Sequence, residues 1–484
     1  MFIKRRRQRF VSHFSVKSKK NLLMVRIWII AVWLCIWQSV CVLTGLELIL
    51  ASPVNVFIAL WELVRTSVFY TVLINSFFHI TIGFLAACII AVVLGVLAGK
   101  YRMVHEFFMP LIHMMKSLPI ASFIILLLIL FGSSKVSALI AFIVVFPMVY
   151  SSVVAGMRQT DKKLLEMGEL FSIGFVRTIK YIYLPQVLSY TRSSLKTAIG
   201  MSWKAGVSAE VIGLAKNSIG EQLYYAKLYL LTEQLFAWSI IVVGVSLLCE
   251  NIFFYFLVWL ENYVFRGKIQ GKLVTANQSD IQKIHILSIE NICKKYGDTI
   301  VLENVSAVFT DDKINCIMGK SGIGKTTMLK IIMKLLPSDS GEISKTGKIS
   351  VVFQENRLID KMSVIHNIML VLEDTSKENE KRIRTLLMSI LPEECMDMPV
   401  KNLSGGQKRR VAIARALLCK CDICLMDEPF TGLDSESKQH VVKFVKEYTK
   451  NKITIIVTHS ETEAKALDSR IYVLTSSNTV VTIQ

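Results

Sequence analysis

From Leu73 to Gly99 the chain runs 27 residues without an Asp, Glu, Lys or Arg. As a helix rising about 1.5 Å per residue, that run is roughly 40 Å long, more than the ~30 Å of a bilayer's hydrocarbon core. Such a stretch belongs in a membrane, where only an internally bonded helix can satisfy its backbone. Five further apolar segments have comparable character. Ile27 to Gly45 and Val136 to Met157 are charge-free over 19 and 22 residues. Ser117 to Gly132 is shorter, extended at its start by Phe107 to Met115 and interrupted by Pro110, Lys116 and Pro119. Thr197 to Leu214 contains Lys204 and Glu210, and Leu235 to Leu260 contains Glu250. Together they predict an all-α domain of six spans over residues 22–265.

The charge balance fits that reading. Residues 1–275 hold 27 Lys/Arg against 11 Asp/Glu, and residues 276–484 hold 29 against 26. A basic chain invites a nucleic-acid partner, but this excess sits in the hydrophobic half, where the positive-inside rule accounts for it. Lys4, Arg5, Arg6, Arg7, Arg9, Lys17, Lys19 and Lys20 open the chain with no acidic residue among them. No small-residue cleavage site closes the apolar run that follows, so residues 1–21 read as a cytoplasmic basic tail before an uncleaved first span. The basic loops at Lys100–Arg102, Arg158–Lys180 and Arg266–Lys272 then fall on the same side. Six spans place the C-terminal half in the cytoplasm as well. An ionisable group inside a span is costly and faces a cavity, a partner helix or an opposite charge. Lys204 and Glu210, with Trp203 and Ser208 beside them, are therefore expected along a solute pathway.

Residues 266–283 are polar and span-free and read as a linker to a second domain over 284–484. Its defining stretch is Gly319-Lys320-Ser321-Gly322-Ile323-Gly324-Lys325-Thr326, followed by Thr327, which has the form G-x-x-x-x-G-K-T. The apolar run Ile314 to Met318 before it reads as a strand and Met328 to Leu336 after it as a helix. In that context backbone N–H groups cradle phosphate oxygens at a helix N-terminus. Lys325 supplies a charge for the outer phosphates and the Thr326 hydroxyl can ligate Mg²⁺. The implied ligands are ATP and Mg²⁺, and the fold class is an α/β P-loop domain with a helical subdomain.

Five further stretches follow in order. Ile349 to Gln354 is a strand ending in an amide; Leu403-Ser404-Gly405-Gly406-Gln407 precedes a predicted helix from Val411 to Leu418; Ile423 to Glu428 is a buried-strand run ending in two carboxylates; Thr431-Gly432-Leu433-Asp434 follows; and Ile453 to Thr458 is a β-branched strand ending at His459. Ser404 can cap its helix. Asp427 can hold Mg²⁺ and Glu428 can polarise an attacking water as general base. Upstream, Tyr296 sits 23 residues before Gly319 at a strand end, where its ring can stack on adenine.

This succession resembles the ATPases of ABC transporters over residues 296–459. The resemblance implies an A-loop at Tyr296, a Q-loop at Gln354 that contributes to Mg²⁺ and to orienting water, a signature turn at Ser404 to Gln407, a D-loop at Asp434 and a γ-phosphate switch at His459. The residues Glu355 to Ile359 and Asn367-Ile368 resemble the ATPases of nitrate, sulfonate and taurine importers, with Asp360-Lys361 standing where that family usually has Pro-Trp. Between the fourth and fifth spans, Glu166-Met167-Gly168, Ser172, Ile182 and Leu184-Pro185 resemble in spacing the EAA loop of type I ABC import permeases. That resemblance implies a coupling role for Glu166, Gly168, Ser172, Leu184 and Pro185 over residues 160–185. Two departures stand out: Met167-Gly168 replaces an Ala pair and Ser172 replaces a Gly. The permease resemblance also draws on Ser76 to Ala86 and on Phe131-Gly132.

One P-loop and one signature make half of each composite site, so the resemblance implies a homodimer, served by an extracytoplasmic solute-binding protein. Two other readings stay open: an ABC half-transporter that exports, and an ABC ATPase that regulates a partner without transport. The cytoplasmic loop at roughly 158–190 is short for the helical extensions that exporters carry. Cys421 and Cys424 are spaced C-x-x-C without a second ligand pair, so they read as small buried residues rather than a metal site.

Overall fold

A computed structural model describes residues 24–25, 27–45, 50–266, 286–345, 347–475 and 480–483. The expected basic tail and almost all of the linker lie outside the described residues. The chain divides into two compact units, one of residues 1–158 and 189–258 and the other of residues 159–188 and 259–484.

The first unit is helical. Its elements are α1 (Ile27–Thr44), α2 (Pro53–Arg65), α3 (Ser67–Lys100), α4 (Arg102–Ser117), α5 (Ile120–Phe131), α6 (Ser133–Arg158), most of α9 (Leu184–Gly213), α10 (Ile219–Leu228) and α11 (Thr232–Arg266) as far as residue 258. Small residues set its tightest packing. A Cβ at Gly83 of α3 would stand 2.1 Å from the Ala138 carbonyl oxygen, and one at Gly95 would stand 2.8 Å from Val153 Cγ1. With little hydrophobic drive between helices in lipid, such close backbone approach is what holds α3 to α6.

The expected count of six spans is not reproduced. Among the described residues, four helices are long and apolar enough to cross a bilayer: α1, α3, α6 and α11 to Glu261. A fifth is reached if α4 and α5, bent by 105° at their junction, form one broken span. The break falls at Leu118-Pro119, because proline cannot donate into the preceding turn. The segment expected as the fifth span lies in α9, which is long enough but carries Arg192, Lys196, Lys204 and Glu210.

The second unit contains two sheets. Strands β1 (Ile286–Tyr296), β2 (Thr299–Thr310) and β4 (Ser340–Lys345) form an antiparallel sheet in the order β2-β1-β4. The larger sheet runs β5-β6-β7-β3-β8-β9, from β3 (Asn315–Met318), β5 (Ile349–Val352), β6 (Ile423–Asp427), β7 (Ile453–Val457), β8 (Arg470–Leu474) and β9 (Val480–Ile483). All its pairs are parallel except β8 with β9. Every residue of β5, β6 and β7 is buried, as the apolar runs ICLM and ITIIV require of strands covered on both faces. Helices α12 (Lys325–Ile332), α13 (Val364–Met369), α14 (Lys377–Leu387), α15 (Gly405–Leu418), α16 (Ser435–Tyr448) and α17 (Glu461–Ala466) complete the unit.

Residues 159–188 belong to this second unit. They form α7 (Lys162–Leu170), α8 (Phe175–Thr178), a π-helical turn at Ile179–Tyr183 and the start of α9. Their Met167, Phe171, Tyr181 and Ile182 join the same apolar core as the strands.

Candidate functional site

The C-terminal ends of parallel strands β3, β5, β6 and β7 gather the residues that the sequence singles out, the usual ligand edge of such a sheet. After β3 the backbone turns through Gly319 to Gly324 into α12. The turn needs glycine at 324: its φ is 108°, and a Cβ there would lie 2.9 Å from the Val301 carbonyl oxygen. Helix α12 starts at Lys325, three residues before the expected Met328, so the loop's N–H groups abut a helix N-terminus directly. Lys320, Ser321 and Gly322 are exposed at the tip, whereas Lys325 is buried. Its ammonium donates to the carbonyls of Gly319 (2.7 Å) and Lys320 (2.8 Å), spanning the loop from within. Burial draws the Lys325 pKa down, while Glu428 and Asp427 oppose that shift.

Across from α12, the Thr326 hydroxyl donates to Asp427 Oδ2 at 2.9 Å. Asp427 is 4% exposed and its Oδ1 has no hydrogen-bond partner. Burial pushes its pKa up. A desolvated carboxylate oxygen without a donor, beside a hydroxyl and a lysine, is chemistry that a hard divalent cation satisfies. The residues therefore fit Mg²⁺ held through Thr326 and Asp427. Next in the chain, Glu428 has φ 48°, an unusual conformation for a carboxylate residue, fixed by its N–H donating to the Val457 carbonyl at 2.9 Å. That turn carries the Glu428 carboxylate to the His459 imidazole, with which it pairs. Thus β6 and β7 bring two expected catalytic residues together, 31 positions apart in sequence.

Gln354 follows β5 and is exposed, as is Tyr296 at the end of β1. Ser404 caps α15, accepting from Gln407 N–H at 3.2 Å, while the Gln407 amide oxygen accepts from Ser404 N–H at 2.9 Å. This reciprocal box starts α15 at Gly405, six residues ahead of the expected Val411. Asp434 caps α16 through Ser437 N–H at 3.0 Å, and those Ser437 bonds hold its pKa down.

Two family models match the chain. "ABC transporter" matches residues 302–431, and "Binding-protein-dependent transport system inner membrane component" matches residues 91–262. The aliphatic sulfonates import ATP-binding protein of Shouchella clausii is 33% identical over 192 residues, covering 39% of this chain and 76% of that protein. This chain belongs to the ABC transporter family. The Fe(3+) ions import ATP-binding protein of Fusobacterium nucleatum is 35% identical over 205 residues, 39% of this chain. Only 55% of that protein is covered, so the chain spans little more than half of it. A solved bacterial ABC transporter cassette, described as dimeric, is 32% identical and covers 40% of this chain and 96% of its own, with a TM-score of 0.37.

The ABC ATPase region of this transporter chain holds one residue whose part the sequence does not display. Arg409 on α15 is 3% exposed, and burial lowers its pKa to about 10. It donates to the backbone carbonyls of Asp427 (2.6 Å), Glu428 (2.7 Å), Pro429 (3.0 Å) and Gln354 (3.1 Å). One guanidinium thus ties the turn after β6 to the turn after β5. Its signal in the sequence is only that it is one of four basic residues in the helix after the signature turn.

The 160–185 segment meets the same β5 end. Glu166 pairs with Arg357 at 2.7 Å, and the Arg357 guanidinium lies 3.7 Å over the Phe353 ring. Lys163 pairs with Glu355. Ser172 has φ 51°, the left-handed conformation that the Gly of the resembled pattern supplies without strain. Gly168 lies against Ile182, whose Cδ1 would be 3.3 Å from an added Cβ. Leu184 and Pro185 open α9 immediately after the π-helical turn.

In the first unit the expected pathway residues separate. Trp203 and Glu210 are buried, whereas Lys204 and Ser208 are exposed. Glu210 does not face Lys204. It accepts from Ser76 Oγ at 2.8 Å and from Gly220 N–H at 3.3 Å, fastening α9 to α3 and α10.

Proposed function

We propose that this chain is one half of an ATP-driven importer of a small solute, of the nitrate, sulfonate and taurine type, with permease (22–265) and ATPase (284–484) in one polypeptide. The observation that carries the proposal is the joining of two features: a region matching inner-membrane components of binding-protein-dependent transport, and a sheet edge where Lys325, Thr326, Asp427, Glu428 and His459 converge. The chain lies in the cell membrane with the ATPase cytoplasmic, pairs with a second copy, and receives solute from an extracytoplasmic binding protein.

In this reading the loop from Gly319 to Thr327 and Lys325 bind the triphosphate, and Tyr296 stacks on the adenine. Mg²⁺, held by Thr326, Asp427 and Gln354, neutralises charge on the phosphate oxygens when bound. Glu428 accepts a proton from the attacking water as its oxygen bonds the γ-phosphorus and the bond from that phosphorus to the bridging oxygen breaks, releasing ADP and phosphate. His459 orients that carboxylate, and Arg409 holds the backbone of Glu428 and Gln354 in one frame. The second copy's signature turn, Ser404 to Gln407, and its Asp434 close the site so that water, γ-phosphate and Glu428 align. Glu166, Gly168, Ser172, Leu184 and Pro185 lie in the segment that transmits closure, since residues 159–188 are flanked in sequence by membrane-unit residues yet pack into the ATPase core.

The test is uptake by cells expressing the chain with its binding protein, using radiolabelled alkylsulfonate, nitrate and bicarbonate. Wild type should accumulate one of them. Glu428→Gln should bind ATP and accumulate none. ATP-dependent efflux instead would establish the exporter reading, and ATP hydrolysis without movement of any solute the regulatory one.

A further inference from the structure

Helix α11 is unbroken from Thr232 to Arg266, and its last residues, from 259 on, belong to the second unit. Its apolar, membrane-long part ends at Glu261. The Glu261 side chain is 17% exposed and forms an ion pair with Lys361. The nucleotide chemistry uses neither residue. Lys361 stands at the exposed tip of a turn over residues 359–363. Asn367, fully buried, locks that turn from beneath. Its side-chain oxygen accepts from Ile359 N–H at 2.8 Å, and its amide donates to the carbonyls of Ile359 and Ser363, both at 3.1 Å. A buried amide satisfied at both ends of five residues leaves them little freedom.

The same turn is joined by backbone bonds to the stretch that leads into the signature turn. Val400 N–H donates to the Met362 carbonyl at 2.9 Å, Lys401 N–H to the Asp360 carbonyl at 3.0 Å, and Val364 N–H to the Met398 carbonyl at 3.3 Å. Ser404 follows three residues after Lys401. Beyond it, Lys408 closes the first turn of α15 onto the Ser404 carbonyl at 2.9 Å, and its ammonium lies 3.8 Å from the Asp360 carboxylate. Asp360 thus touches the chain on both sides of Ser404 to Gln407. A continuous path of bonds runs from Glu261 through Lys361 and Asp360 to the signature turn. We infer that Glu261 and Lys361 are positioning residues, a second coupling input that carries movement of α11 to the signature turn. The inference rests on the transport and composite-site reading above. The pairs of the 160–185 segment, Glu166–Arg357 and Lys163–Glu355, lie instead beside Gln354. In that reading Gln354 serves the ATP on its own chain's P-loop, and the signature turn serves the ATP on the second copy. The two inputs therefore reach different sites. The Asp360-Lys361 step stands where the resembled ATPases usually have Pro-Trp, which offers no cation to Glu261. A partly exposed ion pair adds little to stability, so its loss acts on position rather than on folding.

The test is a charge swap in the full chain, held in lipid nanodiscs and supplied with ATP and Mg²⁺. Glu261→Lys and Lys361→Glu should each lower kcat for ATP hydrolysis about three- to fivefold, the scale of one such pair. The KM for ATP should stay within about twofold, because the P-loop and Tyr296 are untouched. The double swap Glu261→Lys with Lys361→Glu should restore most of the lost kcat. A Ser321→Cys, Ser404→Cys crosslink between copies, in a Glu428→Gln background, reads the signature turn itself. It should form more slowly with either reversal and recover with both. Where a reversal lowers the melting temperature, Lys361→Met removes the cation without setting like charges face to face, and the same loss of kcat is expected of it. Wild-type kcat in both single variants, a double swap no better than the poorer single, or a raised KM with unchanged kcat would each overturn the inference. In discs whose wild type hydrolyses ATP, those results reject the relay alone. Wild-type discs without hydrolysis reject the transport reading and the relay with it.

Discussion

Each unit of the chain buries a carboxylate with one oxygen that lacks a partner among the described residues: Glu210 at 1% exposure and Asp427 at 4%. Their surroundings separate their roles. Asp427 ends a strand beside the Thr326 hydroxyl and within the field of Lys325, and its remaining oxygen sits where a cation bound with phosphate would draw on it. Glu210 lies mid-helix, and its donors are the Ser76 hydroxyl and the Gly220 amide at the start of α10. The same Ser76 oxygen accepts from Ile219 N–H at 2.9 Å. Hydroxyls and a helix N-terminus hold a carboxylate in place without offering it a second charge. On the proposed reading a buried carboxylate is thus a cation ligand in one unit and a fastening in the other. Burial alone does not distinguish them, and the neighbouring cation does.

The largest expected effect falls on the ligand. Asp427→Asn should cut ATP hydrolysis by at least about 100-fold, because the amide cannot neutralise a divalent cation. The same change should not lower the melting temperature of the nucleotide-free protein. Burial raises the Asp427 pKa in the folded state, so its ionisation destabilises the fold above that raised value. The penalty fades as pH falls through the folded pKa and is gone below the unfolded one, near 3.8. Any stability advantage of Asp427→Asn over wild type should therefore shrink in acid, as measured by melting from pH 7 downward. A variant markedly less stable than wild type at pH 7 would make Asp427 a fastening too.

Glu210→Ala should cost about 2 kcal/mol of stability, since it leaves the buried Ser76 hydroxyl and the Gly220 amide short of an acceptor. Glu210→Gln, which keeps one acceptor oxygen, should cost less, and neither should abolish ATP binding. Loss of nucleotide binding by Glu210→Ala with unchanged melting would break the contrast. Gly220→Ala probes the same joint from the other side. Its Cβ would meet Glu210 Cβ at 2.3 Å and the Glu210 carbonyl carbon at 2.4 Å, so roughly 1–3 kcal/mol should be lost. The smallest effect is a gain. Ser172→Gly relieves a left-handed non-glycine residue and should raise stability by up to about 1 kcal/mol, read as a shift in denaturant midpoint.

The nucleotide edge was open to sequence reasoning because each functional side chain sits next to its own structural cause. Asp427 and Glu428 end an apolar run, Lys325 closes a glycine turn, and Ser404 with Gln407 spells a capping box. Arg409 was not open to it, because all its partners but the Asn356 side-chain oxygen are backbone carbonyls, at 353, 354 and 427–429, and any residue type supplies those. The membrane unit hides more for the same reason. Ser76 and Glu210 are 134 positions apart, and only helix packing joins them. The span count is not confirmed there either: α9 is as long as a span but carries several charges, and Pro119 interrupts another.

The central claim is that each chain supplies half of two ATP sites, the P-loop of one copy facing the signature turn of the other. Paired cysteines measure it directly. Ser321→Cys with Ser404→Cys, in a Glu428→Gln background that holds ATP unhydrolysed, should form a crosslinked dimer in membranes when ATP and Mg²⁺ are added. Either single cysteine variant should give none, and the crosslink should diminish without nucleotide. A crosslink confined to monomers, or no ATP-dependent dimer from a protein that still binds ATP, would contradict the composite site.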